Sequence, residues 1–102
     1  GNKPSRDLSM EDIVRKVSEV SGIPEDGIVG QSRKKEIVEA RQTVMFLCRS
    51  ILDSSLSSVG IFFGGRDHTT VMHAIKTIEE KRVKKKNIGE NITQITQELT
   101  FI

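Results

Sequence analysis

The chain has 102 residues, a net charge of +2, 35% hydrophobic and 29% charged residues, and a single cysteine. That suffices for one small domain with a modest core and leaves no room for a second. It excludes an internal disulfide and a membrane-spanning helix, since no apolar run approaches the roughly 20 residues a span needs. A balance of +2 is also too mildly basic to identify a nucleic-acid partner by itself.

Residues 1–8 read as a linker or a cleavage remnant. The start Gly1-Asn-Lys-Pro-Ser has neither an initiator Met nor a signal-peptide apolar stretch, so the chain reads as a piece of a longer protein. Residues 9–102 form the domain. Ser9 and Asp12 have capping-box spacing, with Asp in place of the usual Glu or Gln. Ile13, Val14, Val17 and Val20 then recur at helical intervals until Gly22, which predicts a first helix over about 10–21. Pro24 suits the first position of a short helical turn over 24–29, and 30–34 should be a loop.

From about Lys35 to Leu52, apolar residues fill a wide helical arc, and this is the expected central helix. Cys48 lies on that arc among Val44, Met45, Leu47 and Ile51, as a small core hydrophobe suited to a reducing cytosol. Lys35, Gln42 and Arg49 stand seven apart along one edge. Arg41 projects into the arc, so it must snorkel out or meet an anion.

A short helix over 56–63 precedes Gly64-Gly65, which permit a sharp reversal because glycine tolerates positive φ. A helix from about Asp67 to Lys86 follows, with Val71, Ile75 and Ile78 inward and Thr69, His73 and Lys76 outward. Ile88, Ile92, Ile95, Leu99 and Ile102 then mark a last helix with a narrow apolar seam. Every segment is helical by periodicity, so the fold class is all-α, and helix, glycine turn and helix have the form of a helix-turn-helix.

The start of the 67–86 helix admits two readings. Asp67 and Thr69 can cap the helix. Equally, Asp67 can accept from cytosine N4, and Thr hydroxyl and methyl groups can meet base edges in the major groove. Arg33, Lys34 and Lys35 form the densest cationic loop, either a solvated charge run or a minor-groove probe. The Lys35, Gln42 and Arg49 line is what tracking a sugar-phosphate backbone needs. Lys81-Arg-Val-Lys-Lys-Lys86 lies about 22 Å along the helix from Asp67. It reads as mainly structural, favoured by the helix dipole and by a Glu80–Lys84 pair.

The run Phe63-Gly-Gly-Arg-Asp-His-Thr-Thr-Val-Met-His-Ala74 resembles the signature of the C-terminal DNA-binding domain of DnaA, the bacterial chromosomal replication initiator. Ser32-Arg-Lys-Lys-Glu-Ile-Val-Glu-Ala-Arg-Gln42 resembles the basic loop and following helix of that domain. Ala40 and Ser57 depart from the family, where prolines are common, and both changes affect helix starts rather than contact groups. The resemblance implies a Trp-repressor-like helix-turn-helix that binds double-stranded DNA at replication-origin DnaA boxes, in the cytoplasm on the nucleoid. By the same resemblance, Asp67, His68 and Thr69 contact bases and Arg33 enters the minor groove. Arg41, Gln42, Arg49, Thr70 and His73 lie at or near phosphates. The rest of the initiator carries an ATPase that binds ATP, and the isolated domain is expected to be a monomer.

No enzyme is expected in this chain. His68 and His73 are five apart, unlike the i,i+4 pair of a zincin, and no G-x-x-x-x-G-K-[ST] phosphate loop is present. No cofactor or metal site is therefore expected. Two rivals stay open at this point: a repressor dimerised through the 88–102 seam, and a helical module whose basic patches meet an acidic protein.

Overall fold

The computed structural model describes residues 8–100, so the 1–7 stretch of the expected linker and Ile102 of the expected seam lie outside the described residues. Six helices follow in order: α1 Met10–Ser21, α2 Glu25–Val29, α3 Lys35–Leu52, α4 Leu56–Phe62, α5 His68–Lys84 and α6 Lys86–Thr100. The all-α expectation holds, and no strand occurs among the described residues.

Local chemistry sets the boundaries. At α1 the Ser9 hydroxyl accepts from the Asp12 N–H at 3.2 Å, and the Asp12 carboxylate accepts from the Ser9 N–H at 2.9 Å, closing the capping box. Gly22 ends the helix at φ 78°. Pro24 sits one place earlier than expected, as the N-cap of α2. Asp53 ends α3 in the left-handed region at φ 54°, uncommon for a residue with a Cβ. The segment expected to run helical to residue 86 breaks at Lys85, whose extended φ of −115° and ψ of 111° lets α6 turn back.

α3 is the central element and packs against α1, α2, α4, α5 and α6. Ile13, Ile28, Val44, Leu47, Cys48, Val59, Phe63, Val71 and Ile78 are fully inaccessible and form the continuous core. Cys48 is the buried hydrophobe expected, and burial pushes its thiol pKa up to about 12. Ile88, Ile92 and Ile95 of the expected seam are buried against the body of the domain, with Leu99 partly buried beside them. Lys16 Nζ lies 2.6 Å from Glu98 Oε1 and ties α6 to α1.

The basic stretch at the end of α5 is partly structural, though by contacts other than the expected one. Glu80 and Lys84 form no ion pair among the described residues. Lys81 instead reaches Glu39 on α3 at 3.1 Å, and the Arg82 guanidinium lies 5.6 Å above the centre of the Phe46 ring. Phe46 itself is buried, a core member that the apolar arc alone does not reveal.

Candidate nucleic-acid interface

The α4–α5 turn is built on close backbone approach. The Gly60 carbonyl accepts from both the Gly65 and Arg66 N–H groups, each at 2.9 Å. A Cβ on Gly60 would collide with the Arg66 carbonyl, so a side chain cannot replace that hydrogen without moving the turn. Gly64 and Gly65 adopt φ of 84° and 87°. Phe63 anchors the turn in the core, edge-on to Phe62 with ring centres 5.2 Å apart. The first turn of α5 is thereby held outward on a fixed base.

At that first turn the capping expectation fails. Asp67 is the N-cap residue, yet neither its side chain nor that of Thr69 bonds a helix N–H. Its Oδ1 lies 3.2 Å from His68 Nδ1, and both side chains are about two-thirds exposed, at 65% and 64%. Thr70 is exposed and Thr69 half-buried. The donors and acceptors of this cluster are open to a partner.

The basic loop comes to the same side. Arg33, Gln42, Arg41, Arg66, Thr70 and His73 line one cleft of about 410 Å³ between the 31–33 loop, α3 and α5. No carboxylate lines it. Motifs more than thirty residues apart in sequence thus share one concave, cationic surface, with Arg33 and Thr70 on common walls. Asp67, His68 and Thr69 stand beyond the cleft, as do Lys35 and Arg49. Lys35 is exposed at the first position of α3. Arg49 is exposed too, with Nη1 donating to the Ser54 carbonyl at 2.9 Å.

Arg41 departs from the expectation that it snorkels or meets an anion. It is 5% exposed. Its Nε donates to the Ile28 carbonyl at 2.7 Å, Nη1 to Ser32 at 3.0 Å and Nη2 to Gly27 at 3.2 Å. Backbone carbonyls of the α2 end and the following loop satisfy it, which a helical projection cannot foresee. Burial, and secondarily the charge of Arg66, lower its pKa from the ordinary arginine value.

A family model for the bacterial DnaA protein helix-turn-helix matches residues 10–78. The chain belongs to the DnaA helix-turn-helix family. The chromosomal replication initiator protein DnaA of Ruegeria pomeroyi is 39% identical over 94 residues, covering 92% of this chain and 20% of its own length. DnaA of Chlorobaculum tepidum is 37% identical over 98 residues, 96% of this chain and 20% of its own. A crystal structure described as a DNA replication initiation factor superposes with a TM-score of 0.75 at 33% identity, over 94% of this chain and 30% of that one. The chain therefore spans about a fifth of the length of these DnaA relatives. What matches is DnaA's helical DNA-binding domain rather than its ATPase region. No helix among the described residues is long and apolar enough to cross a membrane.

Within this DnaA domain, sequence reasoning missed Arg66. It stands inside the Gly-Gly-Arg-Asp-His run, and its place beside the base-reading candidates is the signal that could have singled it out.

Proposed function

We propose that this domain binds duplex DNA sequence-specifically at DnaA boxes of a replication origin. Asp67, His68 and Thr69 read base edges in the major groove, and Arg33 enters the adjacent minor groove. Lys35, Gln42, Arg49, Thr70 and His73 set the register on the phosphates. Arg41 lines the same cleft and also holds the loop, because Nε, Nη1 and Nη2 each donate to a backbone carbonyl.

The observation that carries this reading is the uncapped, exposed start of α5 beside a carboxylate-free cleft that also holds Arg33. A helix start that forgoes its own cap leaves short polar groups free at the one place a recognition helix needs them. The domain acts as a monomer on an asymmetric site and positions the rest of the initiator, with its ATP-binding part, on origin DNA in the cytoplasm.

Selection from a randomised duplex library tests this directly. The domain should enrich one asymmetric motif. A pool left unenriched, or a palindrome with half-sites a helical turn apart, would contradict it.

A further inference from the structure

Arg66 precedes the three proposed base readers by one residue and links the two halves of the interface. Its backbone is fixed by the bond to the Gly60 carbonyl at 2.9 Å. Its side chain leaves the turn and crosses to the basic loop, where Nη2 donates to the Gly30 carbonyl at 3.0 Å and to Gln31 Oε1 at 3.4 Å. Among the described residues these are the side-chain hydrogen bonds that join the α4–α5 turn to the 30–34 loop.

The other side of that loop is held by Arg41 through the Gly27, Ile28 and Ser32 carbonyls. Arg33 comes next in the chain, and the Lys34 N–H then donates to Ser32 Oγ at 3.2 Å. The backbone that carries Arg33 is therefore bracketed by two guanidinium groups, one from α3 and one from the turn. Two like charges in a cleft without a carboxylate repel, so the arrangement persists because backbone oxygens accept from both. The Arg66 Nε is buried and makes no hydrogen bond, a cost that the Nη2 bonds offset.

We infer that Arg66 is a positioning residue: it latches the Arg33 loop to the start of α5, so that minor-groove and major-groove contacts fall in one register. This rests on the DNA-reading assignment above. Both bonds leave the single nitrogen Nη2 at the end of the side chain, so Arg66→Met, apolar but of similar length, removes them.

The first test needs no DNA. In Arg66→Met, amide hydrogen exchange at Gly30 and Lys34 should quicken about tenfold, the loss expected for a charge-assisted hydrogen bond. Exchange in α1 should stay as it is. Unchanged exchange at those two amides overturns the latch.

The second test is binding to single-base-pair variants of the box. Arg66→Met should lose about fivefold of the discrimination at the pair selected by Arg33, while discrimination at pairs read by His68 and Thr69 stays. Arg33→Ala with Arg66→Met should be no worse at that pair than Arg33→Ala alone. Additive losses would overturn action through Arg33. A wild-type domain that treats box and scramble alike would overturn the DNA reading itself, an outcome the exchange result separates from failure of the latch.

Discussion

The starts of α1 and α5 carry the same kind of short polar residues and use them in opposite ways. At α1, Ser9 and Asp12 satisfy each other's backbone N–H groups, and Asp12 also accepts from Arg15 at 2.8 Å. At α5, Asp67 holds the same N-cap place on an extended backbone, yet its carboxylate bonds no helix N–H. A cap is worth about 0.5–2 kcal/mol, so α5 forgoes stability that α1 takes. Polar groups spent on the fold mark its frame, and those left unspent mark the surface available to a partner.

The sharpest break of this contrast is Arg41, polar and buried, with Nε, Nη1 and Nη2 each donating to a backbone carbonyl. Arg41→Met should cost about 2–4 kcal/mol of stability in urea unfolding, because buried carbonyls lose charge-assisted donors. A loss in box binding without a loss in stability would mean that Arg41 contacts DNA and does not hold the loop. Next, His68→Ala and Thr69→Ala should each weaken box binding by about 1–3 kcal/mol and leave scrambled duplex almost unaffected. Their unfolding free energies, and that of Asp67→Ala, should stay within about 0.5 kcal/mol of the parent.

Ser9→Ala should do the reverse, losing about 1 kcal/mol of stability with no change in box binding. The smallest effect is a pH dependence. Bonds from the Ser9 backbone and then from Arg15 hold the Asp12 carboxyl below its ordinary value of 3.8. Its contribution is therefore full above that value and is lost as the pH falls through the lower value of the folded state. Thermal melts in acid should show a shallower decline for Asp12→Asn than for the parent.

The same contrast explains what could be read in advance. α1 follows from periodicity and from local caps, because its capping box and left-handed glycine lie next to the helix they bound, and α3 and α6 follow from periodicity. The helix-turn-helix was legible too, since Gly64 and Gly65 punctuate it. Long-range choices were not. That Arg41 and Arg66 converge on carbonyls of residues 27–32 depends on how α3 and the turn pack. That Phe46 lies under Arg82 depends on the α3–α5 contact. Nor could the Lys81–Glu39 pair be foreseen, because Glu39 stands on another helix.

Whether the unspent start of α5 reads sequence is best settled by a competition titration of the domain on a DnaA-box duplex against its scramble, at fixed salt so that phosphate attraction is equal for both. The box should win by orders of magnitude for the parent, and the preference should shrink about 5–200-fold in His68→Ala, the range that 1–3 kcal/mol allows. Equal affinity for the two duplexes, or a preference untouched by His68→Ala, would contradict the assignment of α5 as the reader.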